Sequence, residues 1–208
     1  MRIGVVGTGA MGKTLGRLFA ERGHDVLIGS RDAAKGGTVA RELGGGVRGG
    51  TIREAANHGE AVLLAVHFAA AREALAAAGP MDGKVLLDCV NPLTPDFCAL
   101  TVGHTTSAAE QIAAWAPRAR AVKVFNHNFS QALSEPVYGS TRATAFYCGD
   151  DPGAKSVAAA LIEELGFDPV DAGPLENARY LEPLAELVIQ LAYKQGLGPQ
   201  FALALLRH

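Results

Sequence analysis

Apolar and polar positions alternate along the chain in blocks of two periods. Ile3–Val6 is a short β-branched run, and Met11, Leu15, Leu18 and Phe19 then recur at helical spacing up to Gly23. Val26–Ile28 predicts a second strand and residues 33–43 a helix, closed by the glycine-rich "GGGVRGG" at 44–50. Thr51-Ile52-Arg53-Glu54 has capping-box spacing, so a short helix is expected to begin there. Ala61–Val66 is apolar throughout, as a parallel strand buried on both faces must be. The alanine-rich "FAAAREALAAAG" reads as a helix and Lys84–Asp88 as a strand leading into "DCVNP".

Residues 92–106 lack either period and read as a loop. Ser107-Ala108-Ala109-Glu110 repeats the capping-box spacing at the start of a helix that carries Trp115. Ala121–Phe125 and Thr144–Cys148 read as strands. Asp151-Pro152 supplies an N-cap followed by proline at the first helical position, and that helix is expected to stop at Gly166. Phe167–Asp171 completes the strands. From Leu175 onward the pattern is helical, with apolar residues 181, 184, 187, 188 and 191 on one face; Gly196–Pro199 interrupts it before a short terminal helix. Strands and helices alternating at this interval predict an α/β protein, a Rossmann-type doubly wound parallel sheet. Residues 1–172 form that domain, and 173–208 a helical C-terminal extension serving as a wall, a lid or a subunit contact.

The first strand–helix junction carries Gly7-Thr8-Gly9-Ala10-Met11-Gly12, a GxGxxG spacing in the context that gives it meaning. The first glycine permits the tight turn, the second lets backbone approach a pyrophosphate, and the third lets helix and strand pack closely. The helix N-terminus then offers free N–H groups to phosphate. Where an acid would grip an unphosphorylated ribose, this chain has Ser30-Arg31, with Lys35 four residues on. A guanidinium fork, a hydroxyl and an ammonium suit a 2′-phosphate, which points to NADP over NAD. Asp32 is the one rival group at that position, an acceptor for the diol if the loop turns it inward.

Open α/β sheets bind ligands at strand C-termini, which adds Val66-His67 beside the adenosine and ribose, Asn91-Pro92 near the nicotinamide, and Asn126-His127 after the next strand. Asn126 is placed to orient the carboxamide and His127 to stabilise negative charge developing on a reduced ring. His104 reads as a surface residue. The six histidines show no metal-ligand spacing, so no metal is expected. With 49% apolar and 19% charged residues the chain is globular, and a net charge of −2 excludes a nucleic-acid surface. No run is long enough to cross a membrane. Three widely spaced cysteines form no disulfide framework, and the first strand leaves no room for a leader, so a cytoplasmic location is expected.

The segments "GTGAMGKTLGRLFAERGHDVLIGSRD", "DCVNP", "VKVFNHNF" and "DAGPLENARYLEPLA" together resemble the F420-dependent NADP oxidoreductase family, whose superfamily includes the reductase domains of STEAP ferric reductases. The resemblance reaches from the first strand to about residue 190. It implies a small homodimeric Rossmann protein passing hydride between NADPH and a flavin or deazaflavin, with F420, FMN or FAD as acceptor. It also implies NADP contacts from Thr8, Gly9, Ala10, Met11, Ser30, Arg31, Lys35, Val66 and Asn91, and a Gly173-Pro174-Leu175 turn along the acceptor ring. "HNFSQAL" after Asn126 departs from the family's pattern and leaves the acceptor open. Two other classes fit the glycine loop: an NADP-dependent reductase of an imine or small carbonyl compound, and a non-catalytic NADP(H) sensor.

Overall fold

The computed structural model describes residues 1–206. In chain order it contains β1 (Arg2–Val6), α1 (Ala10–Glu21), β2 (Asp25–Ser30), α2 (Ala33–Leu43), β3 (Arg48–Thr51), α3 (Ile52–His58), β4 (Ala61–Leu64), α4 (Phe68–Ala78), β5 (Val85–Asp88) and α5 (Ala108–Trp115). Then come β6 (Arg120–Val124), β7 (Val137–Tyr138), β8 (Thr141–Arg142), β9 (Thr144–Gly149), α6 (Pro152–Glu164), β10 (Asp168–Asp171) and α7 (Ala178–Ile189). A 3-10 turn, Leu175–Asn177, leads into α7, and a π-helical turn, Gln190–Lys194, prolongs it.

Eight strands form one sheet in the order β3-β2-β1-β4-β5-β6-β9-β10. The first six are parallel and reproduce the dinucleotide-binding order, with its reversal between β1 and β4. The expected doubly wound parallel sheet is present, with one reversal at its far edge: β9 pairs antiparallel with β6, and β10 runs with β9. A parallel return needs a crossover helix of a dozen residues or more. Residues 125–143 supply only loop and the small hairpin β7–β8, which sequence reading did not find, so the chain re-enters the sheet from the end it left.

Strand β3 is also unforeseen, inside the segment read as a glycine loop. A Cβ on Gly49 would lie 2.3 Å from the Gly36 carbonyl oxygen, and one on Gly36 would lie 2.3 Å from that of Gly50. The pairing of β3 with α2 therefore demands glycines, which is why strand propensity hides it.

Two apolar layers cover the sheet, one built on Leu15, Phe19, Leu161 and Ile162, the other on Leu75, Ile112 and Met81. The capping box at α3 and the N-cap at α6 form as expected: Thr51 and Glu54 cap each other reciprocally, and Asp151 accepts from Ala154 N at 2.7 Å. At α5 only half the box forms. Ser107 Oγ accepts from Glu110 N, but Glu110 turns to Arg179, and Glu182 of α7 takes the N–H groups of Ala108 and Ala109 at 2.9 and 3.0 Å. On α7, Leu181 and Val188 are buried while Leu187 is 54% exposed, so the apolar face is split. The expected terminal helix is absent from residues 200–206. That segment instead lies along the start of β9, where Thr144 N donates to Leu203 O at 2.8 Å and Leu205 N to Thr144 Oγ1 at 2.9 Å. No described helix is long and apolar enough to cross a membrane.

Candidate active site

The three glycines of the first turn do different things. Gly7 has φ +122°, and a Cβ there would sit 2.1 Å from the Ala65 carbonyl oxygen. On Gly12 it would sit 2.2 Å from the Gly7 carbonyl oxygen, so α1 could not approach β1. On Gly9 it would meet nothing within 4 Å, because this residue faces an open cleft. Gly9 is also the N-cap of α1, with no side-chain cap and no acidic residue in the first turn. Its helix N-terminus therefore presents uncapped N–H groups to that cleft.

The cleft encloses about 810 Å³ along the C-terminal ends of β1, β2, β4 and β5. Of the predicted residues it gathers Gly7, Thr8, Gly9, Met11, Ser30, Arg31, Lys35, Val66, His67 and Asn91. Gly12 lies buried beneath it, Ala10 faces a neighbouring cavity, and Pro92 lines neither. The Pro92 carbonyl instead anchors the following loop by accepting from Thr101. Arg31 and Lys35 are exposed, and among the described residues neither makes a salt bridge or hydrogen bond. Asp32 is committed elsewhere: it caps α2, its Oδ1 accepting from Ala34 N at 2.9 Å. The cation pair at the end of β2 thus has no carboxylate competing for a ligand.

A second cavity of about 610 Å³ adjoins the first, and Met11, Cys89, Asn91, Leu93 and Phe97 line both. Its floor is Asn126-His127-Asn128, turned off the end of β6 by Phe125 at φ +56°, a strained value for a bulky residue. Its far wall is α7 from Ala185 to Ile189 and the π turn with Gln190, Tyr193 and Lys194. The Gly173-Pro174-Leu175 turn does not line this cavity. Because β9 and β10 are reversed, that turn emerges at the opposite edge of the sheet, where Gly149 N donates to Gly173 O. The helix it starts then runs back to the site.

Asn126 Nδ2 donates to Asn91 Oδ1 at 3.0 Å and to Leu181 O at 2.9 Å, while Asn91 Nδ2 donates to Asn126 O at 2.7 Å. With both donors used, Asn126 Oδ1 is left buried without a partner. His127 is similarly placed. Burial drives its pKa down to about 4 against the opposing bond to Thr144, so the ring is neutral. Nε2–H donates to Thr144 O at 3.3 Å and Nδ1 is a buried, unpartnered acceptor. The ring packs against Phe146 at 5.3 Å. Burial, then the charge of Asp88, push the Cys89 thiol up to about 12, so it is an inert neutral wall.

Sequence reading missed the frame behind this floor. Lys123 on β6 lies 2.8 Å from Asp88 Oδ2 and 3.0 Å from Glu182 Oε1, all three essentially inaccessible, and it donates to the Val90 carbonyl beside Asn91. Burial disfavours the ammonium, but Asp88 and Glu182 outweigh it and raise its pKa. A signal was present: past the exposed Arg120 at the start of β6, strands β5 and β6 are apolar except for one acid and one base, and their register sets Asp88 opposite Lys123.

A Rossmann sheet whose anion-ready cleft opens into a second cavity at its ring end defines a dinucleotide-dependent oxidoreductase. Residues 2–92 match the family described as NADP oxidoreductase, coenzyme F420-dependent. The F420-dependent NADP reductase of Methanothermobacter marburgensis is 31% identical over 93% of each chain. A candidate F420-dependent NADP-reductase from Arthrobacter sp. FB24 superposes with a TM-score of 0.90 over 99% of each chain, at 31% identity. Rat metalloreductase STEAP3 is 27% identical over 88% of this chain, which spans 36% of that longer protein. Streptomyces aurantiacus imine reductase shares the fold alone, at 19% identity and a TM-score of 0.68 over 64% of its length. The chain belongs to the F420-dependent NADP oxidoreductase family.

Proposed function

We propose that this protein passes hydride between NADPH and the deazaflavin F420, each held in one of the two confluent cavities. The observation that carries the proposal is the shared boundary itself: a cleft with an uncapped helix N-terminus and a free Arg31-Lys35 pair opens, at its other end, onto a second cavity. The names of the similar reductases support the choice of F420. NADPH supplies the hydride when bound. The chain's part is to hold the two rings together and keep water out. Thr8, Gly9 and the start of α1 suit the pyrophosphate, and Ser30, Arg31 and Lys35 suit the 2′-phosphate. Asn126 Oδ1 and His127 Nδ1 are buried acceptors that the amide N–H groups of a carboxamide or a deazaflavin ring would satisfy. Within the C-terminal extension, Ala185–Lys194 act as the acceptor wall. Exposed Tyr180, Leu187, Tyr193 and Leu197 form, under the same proposal, the contact face of a homodimer.

Imine reduction needs a proton as well as a hydride. In the second cavity His127 is neutral, and the Thr94 hydroxyl with Cys98 N–H holds Asp96 below the usual carboxylate range, so that proton would have to come from Tyr193 or Lys194 of the far wall. Stopped-flow mixing of the NADPH-loaded protein with F420, FMN or a cyclic imine discriminates. Loss of NADPH absorbance with F420 supports the proposal. Turnover with FMN or the imine alone reassigns the acceptor, and binding of NADPH without any turnover identifies a sensor.

A further inference from the structure

Of the five side chains common to both cavities, Phe97 alone is exposed. Met11, Asn91 and Leu93 are half-buried and Cys89 is buried, but 46% of Phe97 faces solvent. Its backbone is held in a left-handed conformation, φ +57°, that large residues adopt only when their surroundings impose it. Those surroundings are identifiable. Phe97 N donates to Thr94 O at 2.9 Å, and Cys98 N donates to Thr94 Oγ1 and Asp96 Oδ1, which closes a tight turn. From the acceptor side, Gln190 in the π turn donates Nε2–H to Phe97 O at 3.3 Å. From the cofactor side, the His67 ring lies 6.3 Å away. The backbone is thus pinned by its own turn and from the acceptor side, while the phenyl group, which gains by burial, meets the His67 ring at one edge and is otherwise open to solvent.

We propose that Phe97 is the shield of the reaction centre, a positioning residue whose ring closes the junction of the two cavities once ligands fill them and keeps water from the nicotinamide. The inference rests on the NADPH reading above. It goes beyond it by assigning solvent exclusion to one side chain on the 92–106 loop.

The test is acrylamide quenching of the fluorescence of protein-bound NADPH in the unmutated protein, Phe97→Ala and Phe97→Tyr, with NADPH Kd measured for each. The expected result is a quenching constant about threefold higher for Phe97→Ala, wild-type quenching for Phe97→Tyr, and Kd within about threefold throughout, because the ring screens the nicotinamide without carrying the phosphates. Equal quenching in the unmutated protein and Phe97→Ala, with NADPH bound to both, overturns the shield and leaves the cofactor reading intact. Quenching raised as much in Phe97→Tyr as in Phe97→Ala also overturns it, since the loop backbone and not the ring would then be responsible. Failure of the unmutated protein to bind NADPH overturns the cofactor reading, and this inference with it.

Discussion

Replacing Lys123 by Met removes the only cation from a fully buried cluster while roughly preserving side-chain volume. The ammonium neutralises one of two carboxylates, so the cluster carries −1 with it and −2 without it. Breaking a buried pair in this way typically costs 3–5 kcal/mol. For a chain of this size that corresponds to a Tm lower by roughly 6–20 °C. The two acids are not equivalent. Glu182 keeps two N–H donors at the start of α5, a favourable place for negative charge, whereas Asp88 keeps only Val90 N. Most of the deficit therefore falls on Asp88. Urea unfolding of Lys123→Met, with Asp88→Asn and with Glu182→Gln added separately, measures the division. Asp88→Asn should restore roughly half of the loss, and Glu182→Gln distinctly less. A Lys123→Met cost below about 1 kcal/mol, or the opposite order of rescue, would refute the assignment of these roles.

Two further outcomes are expected. Arg31→Ala should raise the Kd for NADPH about 10–100-fold, the worth of one or two charged hydrogen bonds, and leave that for NADH unchanged; paired titrations check it. His127 is kept neutral in the fold with a pKa of about 4 but charges freely near 6.5 once unfolded. The unfolded chain therefore binds more protons between those values. Stability is complete above pH 6.5 and falls by about 3 kcal/mol as the pH drops towards 4. His127→Gln should flatten that slope in unfolding titrations.

The cofactor half was legible from sequence because each of its demands falls on backbone or on a single side chain. A turn with φ +122° at Gly7 and close packing at Gly12 require glycine, Gly9 leaves the cleft floor open to a ligand, and Ser30-Arg31 sits at a position set by strand length alone. Asp32 could not be judged from its neighbours; its engagement with Ala34 N exists only once α2 begins there. Strand β3 escaped for a related reason, since its residues are chosen by contact with α2 and not by strand preference. Phe97, Cys89 and Leu93 carry no local mark. They matter because a loop folds across the mouth of two cavities, a fact of tertiary structure.

The acceptor half depends on a single reversal that local patterns do not encode. Had β9 run parallel to its neighbours, the turn after β10 would have opened beside the cleft, where Gly173-Pro174-Leu175 was expected. With β9 antiparallel, that turn lies at the far edge, and α7 must travel the depth of the sheet to bring Ala185–Lys194 to the site. The buried ionic cluster is what makes that return definite. Glu182, midway along α7, reaches both the start of α5 and Lys123, and Lys123 reaches the carbonyl preceding Asn91. One contact network thus sets the acceptor wall and the nicotinamide end of the cofactor cleft in register. Under the proposed function that is the condition two stacked rings need for hydride transfer, a role for charged groups in a place in the core that apolar side chains would fill at lower cost.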